Sequence, residues 1–251
     1  MSILTTPAIL LRSYPYSETS QILRFYTESR GVLGAIARGV RKTGGRRGGG
    51  LSSFSEGVLN IQFRENRDLQ TFRDFSLTKT RRGLARDPIR LAGASVLGEL
   101  ILRHAEEEGH QELYVELGRG LDAMEELEMA DFLPTLLMEL WTLIRGLGFG
   151  PLMHQCVECG RPFQQEEMGR FDFGAGGLRC FTCQGETPGP RLGPVARAQL
   201  QSLLQGQIPT ELIRPDTHLR LASDFITYHL SGGSPLRSMA VLASLSSEEN
   251  A

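Results

Sequence analysis

All four cysteines of the 251-residue chain fall in two CxxC pairs, Cys156-Val157-Glu158-Cys159 and Cys180-Phe181-Thr182-Cys183, with 20 residues between them. CxxC lets two thiolates converge on one ion, and a second pair completes a tetrahedron of sulfurs about 2.3 Å from Zn²⁺. A chain built this way must close on itself at that point. Gly160 and Gly185 suit the tight turns in which backbone N–H groups bond the sulfurs. Between the pairs, Arg170 to Phe173 and Gly174 to Gly177 read as a strand and turn of a zinc ribbon. Four thiolates leave the ion with a formal charge of about −2, which Arg161, Arg170 and Arg179 can offset. With no open coordination position, the expected role is structural. The competing reading is a redox dithiol or two disulfides, but the chain shows no thioredoxin-like βαβ context. With four sulfurs available, His154 is expected to be a bystander.

The net charge of −2 hides two bodies. Residues 1–90 hold 16 Lys and Arg against 7 Asp and Glu; residues 91–251 hold 11 against 22. A basic front of this size points to a polyanionic partner, most often nucleic acid. The alternative is basic residues scattered over a solvated surface.

Residues 1–80 read as β. Short runs at Pro7–Leu11, Gln21–Tyr26, Val32–Ala37, Val58–Phe63 and Leu69–Phe75 are separated by Gly- and Asn-marked turns. Five such strands with a basic surface suggest an OB-fold barrel. The segment 38–50, RGVRKTGGRRGGG, carries Arg38, Arg41, Lys42, Arg46 and Arg47 among six glycines, with Val40 as its one apolar anchor. It is expected to be a mobile surface loop whose Arg forks suit phosphate oxygens. Arg12, Arg24, Arg64, Arg67 and Arg73 extend the basic surface across the barrel. Tyr14, Tyr16, Phe25, Tyr26 and Phe72 are the stacking candidates, with Phe25 and Phe72 equally suited to the core.

From residue 81 onward the pattern is helical. Asp87 with Pro88 reads as a helix start, and Gly109 as the stop after Glu106–Glu108, a solvated acidic run. Leu113, Leu117, Leu121 and Met124 form a second apolar stripe. Asp131 can cap a third helix bearing Leu136, Leu137, Leu140, Trp141 and Ile144, stopped by Gly146 and Gly148; Trp141 belongs to the core. Three such helices suggest a bundle. Stripes at Leu200, Leu203 and Leu204, then at Leu221, Phe225, Ile226 and His229, return to it. The class is therefore α+β: a barrel over 1–80, helices over 81–153, a four-cysteine zinc element over 154–190 inserted in the helical part, and helices again over 191–251.

No apolar run reaches the roughly 18 residues of a membrane helix, and no basic region precedes the first apolar residues as in a secretory signal. A cytoplasmic protein is expected. P-loop, HExxH and GxSxG patterns are absent, and no DxD pair sits beside the basic loop. The reading is of a non-enzyme.

Tyr16 to Leu23, then Phe25-Tyr26-Thr27, Gly31 and Ala37-Arg38-Gly39-Val40-Arg41-Lys42 resemble the N-terminal signature of the bacterial RecO family of DNA repair proteins. Leu147-Gly148-Phe149-Gly150-Pro151 before the first CxxC and the late Leu236-Arg237-Ser238 extend the resemblance over nearly the whole chain. It implies an OB-fold domain followed by a helical domain carrying a zinc element. It also implies a recombination mediator that binds single- and double-stranded DNA, anneals complementary strands, and acts with RecR to load RecA onto strands covered by single-stranded-DNA-binding protein. Such a protein would be associated with the nucleoid. Some members of the family lack the cysteines, and the Gly-rich insert at Gly44 to Gly50 departs from the family pattern.

Three other classes remain open at this point: an RNA-binding or ribosome-associated zinc protein, a zinc-organised adaptor for an acidic protein, and a nuclease. Competition with structured RNA, DNA binding at physiological salt, and cleavage in Mg²⁺ respectively discriminate them.

Overall fold

The computed structural model describes residues 2–40, 51–106 and 108–248. Arg41, Lys42, Arg46 and Arg47 lie outside the described residues. The first strands are β1 (Ser2–Pro15), β2 (Gln21–Thr27), β3 (Gly31–Ala37), β4 (Glu56–Phe63) and β5 (Leu69–Lys79). They close a barrel in the order β1-β2-β3-β5-β4, antiparallel throughout except for the parallel β3–β5 pair. This is the expected five-stranded OB arrangement. Strand periodicity explains it: Ala8 and Leu10, Leu23 and Phe25, Leu33 and Ala35, and Leu59 and Ile61 stand at alternate positions and fill the interior. Val40 anchors the root of the basic segment in the same core.

β1 is much longer than its apolar run. Its first half pairs with β4 and its second with β2, and the register shifts between Leu10 and Arg12. Pro7 lies close to the exchange of partners, where its carbonyl accepts the Glu28 N–H at 3.0 Å. A proline is tolerated in this strand, although by itself it reads as a boundary.

Next come α1 (Pro88–His104) and α2 (Gln111–Glu126). The Asp87 carboxylate caps α1 by accepting from Ile89 and Arg90 N–H groups, as expected. The end of α1 differs from expectation. The helix stops at His104, before the acidic run, because Ala105 is extended. Carboxylates also oppose the negative end of a helix dipole. Gly109 serves a different purpose, since a Cβ there would come within 2.3 Å of the Ser29 backbone at the β2–β3 turn.

Then follow α3 (Phe132–Gly146), β6 (Gly169–Asp172), β7 (Gly177–Arg179), β8 (Arg191–Leu192), α4 (Pro194–Leu204), α5 (Pro215–His229) and α6 (Arg237–Glu248). Asp131 precedes α3 but its side chain does not cap it. A 3-10 turn over Met129–Asp131 runs straight into the helix, and Asp131 is already in helical backbone at φ −95 and ψ −1.

The chain divides into two compact units, 1–127 with 238–251, and 128–237. In the first, α1 and α2 pack on each other, and Gly98 of α1 makes room for the Phe54 ring. The Glu99 carboxylate accepts from the Ser238 N–H and hydroxyl at 2.8 and 2.7 Å, tying α6 to α1. In the second, α3 packs with α4 and α5 around buried Trp141 and Phe225. Among the described residues, no helix is long and apolar enough to cross a membrane.

Candidate metal centre and nucleic-acid face

The cysteine quartet is assembled by the β6–β7 hairpin. Cys180 directly follows β7, while the Val157 N–H bonds the Leu178 carbonyl at 2.9 Å and fixes the first knuckle against the same strand. Each knuckle is a tight turn: Gly160 N–H to the Cys156 carbonyl at 2.9 Å, and Cys183 N–H to the Cys180 carbonyl at 3.1 Å. Gly160 and Gly185 hold the positive φ that these turns require. All four Sγ atoms lie within 4.8 Å of one another, and Cys159 and Cys180 Sγ are 4.0 Å apart. Sulfurs about 2.3 Å from a tetrahedral ion stand about 3.8 Å apart, so the quartet fits a metal ion. All four cysteines are free of disulfides.

The thiols oppose one another's ionisation. Burial opposes ionisation of Cys180, yet the Cys183 N–H and the Arg161 guanidinium bring its thiol down to about 6. Hydrogen bonds with Cys180 and Cys159, helped by burial, push Cys183 up to about 12. Adjacent thiols cannot all ionise unless positive charge is placed among them.

The three expected arginines divide. Arg161 lies within electrostatic reach of the Cys180 sulfur and is held by both Glu167 oxygens, at 3.0 and 2.5 Å. Arg179 is committed to Asp172 at 2.5 Å and Glu158 at 2.9 Å, within electrostatic reach of Cys156. Arg170 instead donates to the Thr187 carbonyl at 2.7 Å. His154 is exposed and outside the quartet. Sequence reading missed Arg197. From α4 it donates to the carbonyls of Gln164, Gln165 and Glu167, and it lies over the Phe163 ring. It thereby sets the loop whose Glu167 positions Arg161.

On the barrel, the register brings basic residues together. Arg12 of β1 is the direct partner of Arg24 of β2, and Arg24 is the partner of Gly34 of β3. Gly34 is in turn level with Leu69 of β5. One lateral row therefore runs Arg12, Arg24, Gly34, Leu69. A Cβ on Gly34 would stand 3.0 Å from Arg24 Nη1, so the glycine lets that side chain lie across β3. Among the described residues, neither Arg12 nor Arg24 forms an ion pair with a carboxylate. Like charges directly opposite on a sheet repel, and among the described residues no carboxylate pairs with either arginine to offset this. The last β3–β5 pair is Ile36 with Thr71; Arg38 and Arg73 each follow two residues later in the chain, and both are exposed. Arg64 and Arg67 are placed at the β4–β5 turn.

The aromatic candidates separate cleanly. Tyr14 and Tyr16 are 40% and 61% exposed, and the Arg12 guanidinium lies 5.1 Å from the Tyr14 ring centroid. Phe25 is in the barrel core, 5.2 Å from the Phe75 ring, and Phe72 packs against that core. Tyr26 is buried against Tyr114, and burial raises its hydroxyl to about 12.

Part of the basic excess faces inward. Arg81 is fully buried and bonds Glu56, Asp122 and the carbonyls of Phe54 and Gly118. Lys79 pairs with Asp122 at 2.6 Å. Arg90 donates to the carbonyls of Met124, Glu125 and Leu127, satisfying the end of α2.

Comparison with known proteins bears directly on both sites. The family model for the recombination protein O N terminal matches residues 1–81, and that for the recombination protein O C terminal matches residues 85–239. The chain belongs to the RecO family. The DNA repair protein RecO of Desulfatibacillum aliphaticivorans is 30% identical over 241 residues, covering 92% of this chain and 93% of its own. That of Nocardioides sp. is 31% identical over 244 residues, covering 93% and 96%. That of Anaeromyxobacter sp. (strain K) is 32% identical over 203 residues, covering 79% and 77%. The arginine row lies in the part matched to the RecO N terminal, and the cysteine quartet in the part matched to the RecO C terminal.

Proposed function

We propose that this protein is a non-enzymatic recombination mediator in DNA repair. It binds single- and double-stranded DNA, anneals complementary strands, and acts with RecR to load RecA onto DNA covered by single-stranded-DNA-binding protein. It works in the cytoplasm, at the nucleoid. The observation that carries this reading is the Arg12–Arg24 pair, adjacent across two strands and unmatched by acid among the described residues. Lys and Arg that neutralise phosphates release condensed counterions, and two polyanions can then approach each other. Arg12, Arg24, Arg38, Arg64, Arg67 and Arg73 supply backbone contacts, and so do Arg41, Lys42, Arg46 and Arg47 of the glycine-rich segment. Tyr14 and Tyr16 supply stacking faces for unpaired bases. Contacts of this kind read backbone rather than base edges, so binding is nearly independent of sequence.

Cys156, Cys159, Cys180 and Cys183 hold one structural Zn²⁺. Bound there, zinc cross-links the two knuckles to the β6–β7 hairpin. Arg161 offsets part of the thiolate charge, and Glu167 and Arg197 keep Arg161 in place.

The test is annealing of complementary oligonucleotides with and without the protein, before and after zinc chelation. The protein accelerates pairing, and chelation lowers stability more than it lowers annealing per folded molecule. Pairing no faster than in buffer contradicts the reading.

A further inference from the structure

Two turns at the barrel rim face each other across an open cleft of about 550 Å³, with Arg30, Phe63, Arg64, Glu65 and Arg67 in its walls. The β2–β3 turn carries Arg30, and the β4–β5 turn carries Arg64 and Arg67. Both turns are anchored from within the fold. The buried Gln70 amide accepts the Arg64 N–H at 2.8 Å and donates to the carbonyls of Arg64 and Arg67 at 3.0 and 2.5 Å. All three bonds of this buried side chain thus go to one turn. On the other side, the buried Thr27 hydroxyl accepts the Arg30 N–H at 3.1 Å and donates to the Gly31 carbonyl at 3.0 Å. Ser29 and Thr6 hydroxyls meet at 2.9 Å beneath the same turn.

The cationic side chain of Arg30 rests against a wall of the cleft. Its guanidinium lies 5.1 Å from the Phe63 ring centroid. Rotamer freedom already lost in the free protein need not be lost on binding. The backbone of both turns is therefore fixed around a cleft that Arg30, Arg64 and Arg67 line.

Charge selects the ligand. Three arginines against Glu65 leave a net charge of +2 in the walls. An internal phosphodiester carries a single negative charge. A phosphomonoester carries about −2 near neutral pH and offers three acceptor oxygens to the Arg forks. Position selects its source: the lateral row from Arg12 through Arg24 and Gly34 ends at Leu69, two residues after Arg67. A strand lying on that row arrives at the cleft.

We propose that this cleft is a phosphomonoester site that seats the phosphorylated end of a nucleic-acid strand. The inference rests on reading the barrel as a nucleic-acid binder, and it adds that the protein distinguishes the end of a strand from its interior.

The experiment measures fluorescence anisotropy of the full chain with one oligonucleotide sequence bearing a 5′-phosphate, a 3′-phosphate or only hydroxyl ends. Inorganic phosphate and a mononucleotide serve as competitors. One phosphorylated end binds about tenfold tighter than the hydroxyl-ended strand. Arg30→Gln reduces that preference to within about twofold, while the hydroxyl-ended strand still binds and so reports an intact fold. Equal binding of all three ends by the unaltered protein overturns the cleft and leaves the barrel reading standing. Failure to bind any of them overturns both. Competition by inorganic phosphate or the mononucleotide as effective as that by a phosphorylated strand makes this a free-phosphate site and overturns the strand-end assignment.

Discussion

Arg81 Nε lies 2.6 Å from Asp122 Oδ1, and the same guanidinium reaches Glu56 at 2.8 Å. The side chain is wholly buried between strand β4 and helix α2, so one cation joins the barrel to α2. Replacing it takes the cation from Glu56, leaves Asp122 with Lys79 alone, and frees the carbonyls of Phe54 and Gly118. Arg81→Met should destabilise the first unit by about 3–5 kcal/mol, as read from the urea midpoint followed by circular dichroism. The folded variant should keep the DNA salt dependence of the unaltered protein, because Arg81 is not on the outer face. A destabilisation under about 1 kcal/mol would contradict this role.

The metal site should respond to Arg197 at a distance. Arg197→Met frees the 164–167 loop and, through Glu167, loosens Arg161 at the Cys180 sulfur. Supporting contacts of this kind are worth about 10–100-fold in metal affinity. Competition with a chromophoric chelator should show that loss, with about one equivalent of zinc in the unaltered protein. Equal retention in both proteins would place Arg197 outside the metal support.

Replacing Cys156 and Cys180 together by Ser removes half the ligand set. The second unit should unfold at lower temperature, while DNA affinity per folded molecule changes little. Loss of DNA binding by a folded variant would instead make the cysteine element a contact surface.

His218 predicts a pH dependence. It is buried, with Nε2 3.2 Å from the Gln199 amide oxygen, and burial lowers its pKa from the usual 6.5. The unfolded chain therefore binds this proton more readily than the folded one. The stability contribution is present above about pH 6.5 and falls as the pH drops below that value. His218→Gln should flatten the loss of stability between about pH 6.5 and 5. An unchanged slope would assign the acid sensitivity to other groups.

Much of this architecture can be read from local pattern. Alternation at Leu23–Phe25 and Leu59–Ile61 marks strands, the Asp87-Pro88 pair marks a helix start, and CxxC spacing marks the quartet. Those signals lie within a few residues of what they determine. The rest depends on partners far away in sequence. Arg81 reads as one more cation among Lys79, Arg82 and Arg86 until Glu56 and Asp122 are brought to it by the fold. Counting charge therefore overstates the free basic surface. Gly109 reads as a helix stop, whereas the chain needs it to pass the β2–β3 turn. Arg30 carries no signal of its own, because its importance comes from Phe63 and from a turn 34 residues further on. Pairing of Arg12 with Arg24 becomes visible only with the β1 register shift in hand.

The most direct test is the slope of log affinity against log salt for a single-stranded oligonucleotide, measured with the unaltered protein and with Arg12→Glu/Arg24→Glu. The arginine row predicts a steep slope that falls by roughly 0.7 per lost phosphate contact in the variant, together with a weaker affinity at every salt concentration. Identical slopes and affinities for the two proteins would contradict it.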